Sequence, residues 1–237
     1  FILDKHWFFN LTAFFLNIKK RIGFDRLGRE GFLLTDKIYY GSLRHEVYLY
    51  LDLLGLIGEI DYSDFKMDLF SLEKDLSFVK SFLKKKGLIN KSIVGLFPGG
   101  GNNHDKWSYM RIYPINKYFN IIDSEIKKDK NVKFILFGKG RGDEAIGREI
   151  INRYPLNCIN LISKISIHEA AELIKFCSII YCNDTGGMHL AATVNENIFS
   201  FFIITHPKKK APLWGRSKYL WVGKEEYILK CELFGDY

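Results

Sequence analysis

The most informative segment of the sequence is Ser178-Ile-Ile-Tyr-Cys-Asn-Asp184-Thr-Gly-Gly-Met-His189-Leu-Ala-Ala192. A short apolar strand runs into an Asp-Thr-Gly-Gly turn, and a helix of small residues follows. An acid, a hydroxyl and backbone N–H groups therefore meet at the carboxyl end of a strand, where ligands of α/β sheets collect and helix N-termini bind anions. This segment predicts a parallel α/β sheet with a phosphorylated or nucleotide ligand.

Outward from this segment, the chain from residue 91 alternates apolar, β-rich runs with helical patterns. Such alternation implies a parallel sheet with right-handed crossover connections. Strands are predicted at residues 92–97, 132–137, 158–162, 178–182 and 198–204, and helices at residues 114–128, 143–154, 166–176 and 188–194.

The first part of the chain has a weaker pattern, which resembles part of another α/β domain. Helical patches lie at residues 11–18, 45–56 and 72–86, and the regular alternation begins only after them. The sequence thus predicts an N-terminal domain over residues 1–88 and a C-terminal domain over residues 89–237.

The composition is that of a globular protein with anionic partners. Apolar residues make up 47% of the 237 residues and charged residues 26%, which excludes a disordered chain. The net charge of +8 favours a nucleotide, a phosphorylated glycan, an anionic membrane or a nucleic acid. Nucleic acid is disfavoured because no basic face interleaved with aromatic residues is evident.

The four cysteines indicate neither a zinc site nor a disulfide framework, because no CxxC pair occurs. Reduced thiols in a cytoplasmic protein are the simplest interpretation. The apolar opening of the chain contains Asp4, Lys5 and His6, so it makes a poor membrane span.

Two glycine-rich loops follow predicted strands. In Pro98-Gly-Gly-Gly-Asn-Asn103, three glycines allow close approach of a ligand and expose N–H donors to a phosphate, with Lys106 and Arg111 nearby to neutralise charge. In the second loop the glycines are spaced GxGxG, which is not the nicotinamide fingerprint. There Asp143 either caps the next helix or binds ribose hydroxyls, and both interpretations stay open.

The Asp-Thr-Gly-Gly segment also has two interpretations. Asp184 and Thr185 could cap a helix that starts near Gly187, and His189 could pack against the sheet. We favour a ligand site because this cluster holds more polar groups than capping requires. Ser166-Ile-His-Glu169, in contrast, is predicted to be a capping box.

Three motifs in this order resemble those of the bacterial glycosyltransferase family 9, the ADP-heptose:lipopolysaccharide heptosyltransferases and their relatives. They are Pro98-Gly-Gly-Gly-Asn-Asn103, Arg111-Ile-Tyr-Pro114 and Asn183-Asp-Thr-Gly-Gly-Met-His-Leu-Ala191. Arg21-Ile-Gly-Phe-Asp25 and the segment from Arg44 to Gly55 resemble the later half of the family's acceptor domain, so the resemblance covers most of the chain.

The resemblance implies a GT-B enzyme with two Rossmann-like domains and parallel sheets, the N-terminal one only partly present. It would move heptose or a related sugar from a nucleotide sugar, with ADP-heptose as the candidate donor, to a lipopolysaccharide or surface-glycan acceptor. Configuration would be inverted, and neither a metal nor another cofactor would take part. The implied donor-binding residues are Gly99, Gly100, Gly101, Asn102, Lys106, Arg111, Asp143, Glu144, Asp184, Thr185, Gly186, Gly187 and His189.

The chain departs from the family pattern in two places. Arg111 stands where relatives commonly have the Lys of a Lys-x-Trp-Pro motif. Arg111 keeps the charge and would stabilise the leaving group, with Lys106 as a rival for that role. The family's first strand, glycine-rich loop and acidic general base precede anything in this sequence, so the base is expected upstream of residue 1.

The expected partners are a nucleotide-sugar donor and a glycolipid or oligosaccharide acceptor, with no nucleic acid. The expected location is the cytoplasm, with peripheral contact at the inner membrane face. Two alternatives remain: a GT-B enzyme that uses a different nucleotide sugar, and a non-catalytic fragment that binds nucleotide or a partner protein.

Overall fold

A computed structural model describes residues 1–4, 6–26, 28, 31–41, 43–63, 67–101 and 108–223. The described residues fall into two compact units. The first takes in those of 1–65 with 208–210, and the second takes in those of 66–207 with 211–223. No helix in these ranges is long and apolar enough to cross a bilayer.

The first unit is a small parallel α/β arrangement. Its elements are α1 (Trp7–Phe15), β1 (Ile22–Asp25), β2 (Asp36–Tyr39) and α2 (Glu46–Gly55). Strands β1 and β2 pair in parallel. Phe24 of β1 is buried together with Leu49 and Leu53 of α2. Aromatic packing strengthens this core, because the Phe24 ring lies 5.3 Å from the ring of Tyr50.

The second unit is built from strands that alternate with helices, as the sequence predicts. Its elements are α3 (Glu73–Lys85), β3 (Ile93–Phe97), α4 (Ile115–Lys128), β4 (Lys133–Leu136), α5 (Arg141–Arg153), β5 (Cys158–Asn160), α6 (Ile167–Ile174), β6 (Ile179–Asn183), α7 (Gly186–Val194), β7 (Ile198–Phe202) and β8 (Lys218–Trp221). Between β7 and β8 the chain forms the short helix α8 (Pro207–Lys210), whose last three residues belong to the first unit.

Six parallel strands form one sheet in the order β5-β4-β3-β6-β7-β8. Apolar clusters cover both faces of the sheet, with Tyr118 and Ile122 of α4 on one side and Leu173 of α6 and Met188 of α7 on the other. This is the doubly wound order, whose direction reverses between β3 and β6. The carboxyl ends of these two strands therefore form the crevice in which such sheets bind ligands.

The predicted strands and helices of the second unit are confirmed, with small shifts at their ends. α7 begins at Gly186, two residues before the predicted start, so both glycines of the motif belong to its first turn. α5 begins at Arg141 after Gly140, which puts Asp143 inside the first turn and not at the N-cap. Strand β8 was not predicted, because its four residues form a short, largely exposed edge strand.

Helix α3 clusters with the second unit and packs against α6. Glu172 of α6 is buried and accepts hydrogen bonds from Lys175 at 2.6 Å and from the Ser71 hydroxyl just before α3. The compact units therefore divide near residue 65, whereas the division into functional domains at residue 88 stays a prediction.

Candidate functional site

A cavity of about 740 Å³ lies at the carboxyl ends of β3 and β6, at the point where the strand order reverses. Four backbone segments surround it: the glycine loop after β3, the loop after β4, and the starts of α6 and α7. The predicted site residues among its lining are Gly99, Gly100, Gly101, Asp143, Thr185, Gly186 and Gly187.

The start of α7 gives one wall of the cavity its polar character. Thr185 is the N-cap residue, but its side chain makes no capping hydrogen bond within the described residues. Gly186 and Gly187 occupy the first two helical positions. The first N–H groups of a helix have no partner inside the helix, and together with the macrodipole they favour an anion. This wall is thus suited to a phosphate.

Gly187 is required at its position by a close approach. A Cβ there would overlap the ring of Phe97 at the end of β3, whereas a Cβ on Gly186 would meet no described atom within 4 Å. The first glycine therefore leaves open space at the cavity wall, and the second lets α7 sit directly against β3.

Asp143 holds the two glycine loops together. Its carboxylate accepts from the Gly101 N–H at 3.2 Å and from the Lys139 N–H at 3.1 Å. A Cβ on Gly99 would overlap this carboxylate. Burial raises the pKa of Asp143, and the backbone N–H groups offset that effect only in part. The Gly101 N–H, expected to face a phosphate, points at Asp143 in this structure.

Asp184 is buried and anchored to the loop after β7. The Thr205 hydroxyl donates to its Oδ2 at 2.6 Å, and Thr205 is itself buried. The capping interpretation of Asp184 and Thr185 is therefore not what the structure shows, since neither side chain caps α7 among the described residues. Thr205 lies outside every motif and could not be found from sequence spacing.

Asn183, the last residue of β6, is a second residue that the sequence did not single out as functional. Its side chain is fully buried and bonds to the glycine loop, to the segment after Arg111 and to α4. Its place directly before Asp184 in the motif was the available signal.

The other predicted site residues are placed less directly. Arg111 ends a 3-10 helix (Ser108–Arg111) and is half-buried, as are Glu144 in the first turn of α5 and His189 in α7. None of these three side chains lines the described part of the cavity. Asn102 and Lys106 lie outside the described residues.

The opposite wall of the cavity is apolar. Phe137, Leu161, Ile165, Ile167 and Ala170 line it, and the rings of Phe97 and Phe137 stack at 5.2 Å. The start of α6 lies here, and its capping box is confirmed: Ser166 accepts from the Glu169 N–H at 3.1 Å, and Glu169 accepts from the Ser166 N–H at 2.7 Å. A flat, partly apolar group fits this end.

The three cysteines that the structure describes carry no chemistry for this site. Cys158, Cys177 and Cys182 are buried and free, and burial raises the pKa of Cys158 and of Cys182 to about 12. They stay protonated, so they are poor nucleophiles and metal ligands. The described ranges contain no group of three or more His, Cys, Asp or Glu side chains that could hold a metal ion.

A doubly wound parallel sheet, with an anion-suited helix start and an apolar wall at its switch point, defines an α/β protein of the class that takes ligands in this crevice. The chain belongs to glycosyltransferase family 9 (heptosyltransferase), whose family model matches residues 4–232. The resemblance inferred from the three motifs is thereby confirmed.

Individual relatives agree with the family. The chain is 31% identical over 140 residues to lipooligosaccharide heptosyltransferase 2 of Haemophilus influenzae, a match that covers 57% of this chain and 38% of that enzyme. The match spans well under half of the relative's length.

Two solved structures share the fold. ADP-heptose lipopolysaccharide heptosyltransferase II of Escherichia coli superposes with a TM-score of 0.70 and 20% identity, covering 98% of this chain and 74% of that one. The Escherichia coli heptosyltransferase WaaC with ADP-2-deoxy-2-fluoro heptose gives a TM-score of 0.53 and 13% identity, covering 84% of this chain and 58% of that one. These likenesses confirm the predicted α/β fold of GT-B type.

Proposed function

We propose that this chain transfers heptose from an ADP-linked donor to a lipopolysaccharide acceptor, with inversion and without a catalytic metal. The observation that carries the proposal is the uncapped start of α7 at the switch-point cavity. The names of the relatives support the choice of sugar and acceptor, and the donor analogue bound to a structural neighbour supports ADP.

The two walls suggest how the donor would lie. The diphosphate would sit at the first turn of α7, against Gly186 and Gly187, and the nucleoside would lie along the apolar wall near Phe137 and Ile167. Of the two roles left open for Asp143 we propose the structural one, because both of its oxygens already accept backbone N–H groups.

In the reaction, an acceptor hydroxyl would attack the anomeric carbon, a carboxylate would take its proton, and the nucleoside diphosphate would leave. Negative charge would grow on the departing phosphate. The N–H groups at the start of α7 and the guanidinium of Arg111 are this chain's candidates for stabilising that charge. The general base is not assigned to any described residue.

The proposal places the transfer in the cytoplasm, at the inner face of the membrane that carries the acceptor. The net charge of +8 supports attraction to an anionic lipid or glycan surface. The alternative of a different nucleotide sugar is settled by comparing ADP with UDP and GDP in the binding experiment below.

The decisive experiment is calorimetric titration of ADP into three proteins: wild type, Gly186→Asp and Gly186→Asn. Both side chains enter space that is open in the structure, since no described atom lies within 4 Å of a Cβ there. The two variants match in size and differ in charge. A carboxylate there suits the helix dipole but repels a diphosphate by about 1–3 kcal/mol, which raises Kd by about 5- to 150-fold.

We expect Gly186→Asp to lose ADP affinity relative to Gly186→Asn while keeping its thermal stability. Equal ADP affinity in the two variants would place the diphosphate away from α7. Tighter binding of UDP or GDP than of ADP by the wild type would contradict the donor assignment, and transfer from ADP-heptose to a heptose-deficient lipopolysaccharide would test the reaction itself.

A further inference from the structure

Asn183 occupies the centre of the switch point. It is the last residue of β6, and it has no solvent exposure. Its Nδ2 donates to the carbonyl oxygens of Pro98 and Gly99, each at 3.0 Å. Its Oδ1 lies 3.2 Å from the Tyr113 N–H and 3.1 Å from the Tyr118 hydroxyl. An Asn side chain has two donors and two acceptor lone pairs, so its capacity is filled.

These bonds connect three separate segments. The two carbonyls belong to the glycine loop after β3, Tyr113 stands two residues after Arg111, and Tyr118 belongs to α4. Tyr118 is fully buried, and burial raises its pKa well above its usual value. The Tyr118 hydroxyl therefore stays protonated as a donor, and it also lies 3.2 Å from the Phe97 carbonyl oxygen.

The bonds to the carbonyls fix which way the glycine loop faces. In a trans peptide unit the C=O and the N–H point in opposite directions. Because the carbonyl of Gly99 points at Asn183, the N–H of Gly100 in the same unit points away from Asn183, and the next N–H along the loop, that of Gly101, donates to Asp143 at 3.2 Å. The loop is thus held between two buried side chains, with two of its carbonyls on Asn183 and the Gly101 N–H on Asp143.

We propose that Asn183 is a positioning residue of the donor site: it sets the Gly99–Gly101 loop and the segment that follows Arg111 against the start of α7. It lines none of the described cavity wall, so it acts through these segments and not by contact with the ligand. The inference rests on the function proposed above, and it adds that a residue outside the cavity determines nucleotide affinity.

The chain offers a matched control in Asn195, which follows the last turn of α7. Its Nδ2 also donates to two carbonyls, those of Ile174 at 2.9 Å and Cys177 at 2.8 Å, and its Oδ1 accepts from the Asn197 N–H at 2.8 Å. None of these groups belongs to the cavity lining. Asn183→Ala and Asn195→Ala therefore remove similar bonds from the segments that precede and follow α7.

The experiment measures the melting temperature and the Kd for ADP of wild type and both variants. Losing buried hydrogen bonds lowers the melting temperature of both by several degrees. Only Asn183→Ala is expected to weaken ADP binding, by about tenfold, because a loop that is no longer pre-set must be ordered on binding. Asn195→Ala is expected to stay within about twofold of wild type.

Tyr118→Phe answers the same question if Asn183→Ala does not fold, since it removes one hydroxyl and leaves no cavity. A weaker ADP affinity in Tyr118→Phe supports the positioning role, and an unchanged affinity overturns it. Equal ADP affinity in Asn183→Ala and Asn195→Ala also overturns it, while the Gly186 pair still reports separately on the diphosphate site. If the wild type binds no ADP, the proposed function and this inference both fail.

Discussion

Two helices begin at the same cavity, and their starts are built in opposite ways. α6 begins with a closed capping box, in which Ser166 and Glu169 satisfy each other's backbone N–H groups. α7 begins with Thr185, which makes no capping bond among the described residues, and with two glycines. Both starts follow strands of one sheet, so strand geometry alone does not explain the difference.

Under the proposed function, the contrast separates a structural helix start from one that would bind a ligand. A cap satisfies N–H groups that would otherwise need water or a ligand. The α6 start is closed, and it adds apolar surface to the cavity through Ile167 and Ala170. The α7 start keeps its donors available, and its glycines remove side chains that would cover them.

Among the variants that test this difference between α6 and α7, Gly187→Ala is expected to lower the free energy of unfolding most. Its methyl would overlap Phe97, and such overpacking costs about 1–3 kcal/mol. Gly186→Ala, with open space around its Cβ, should instead leave stability unchanged or raise it by up to about 1 kcal/mol. Urea unfolding of both variants checks the pair. A similar loss at both glycines would mean that α7 is not seated against β3.

A smaller effect is expected at the two N-cap residues. Ser166→Ala removes a capping box and should lower the free energy of unfolding by about 1 kcal/mol. Thr185→Ala removes no capping bond and should change it by less than about 0.5 kcal/mol. Guanidinium unfolding curves compare the two variants. If Thr185→Ala costs as much as Ser166→Ala, the start of α7 is capped after all.

The smallest effect concerns a third helix start, that of α5, and it depends on pH. The helix dipole favours ionised Asp143, but burial dominates and raises its pKa above 3.8. Between 3.8 and the raised pKa the folded state binds more protons than the unfolded state, so the free energy of unfolding falls as pH rises through that window.

Asp143→Asn should remove this slope. Unfolding measured between about pH 4 and 7 should therefore show a flatter dependence in the variant than in wild type. The same slope in both proteins would show that other groups cause it, and that Asp143 titrates as it does in water.

Much of the second unit was predictable because its signals are local. Apolar β-rich runs and helical patterns between them are properties of consecutive residues, and so is the Ser166–Glu169 capping box. The glycines that line the cavity were singled out from the sequence for the same reason. Strand β8 was missed because it is only four residues long and lies at the largely exposed edge of the sheet.

The roles of individual polar side chains were harder to predict. Asp143 and Asp184 stand next to helix starts, where the sequence offered only capping or ligand binding as their roles. In the structure Asp143 bonds to a loop 42 residues away and Asp184 bonds to Thr205, 21 residues further along. Contacts over such separations depend on how the strands are ordered in the sheet.

The sequence by itself determined the parallel α/β class, the two glycine loops and the family, because periodicity and motifs survive without knowledge of the fold. Only the tertiary structure decided which side chains hold the site together. Asn183 can reach Gly99 because β6 lies beside β3 in the sheet, with Gly95 paired to Ile180. Residues so distant along the chain meet only when the sheet has packed, so no local pattern could have revealed their contact.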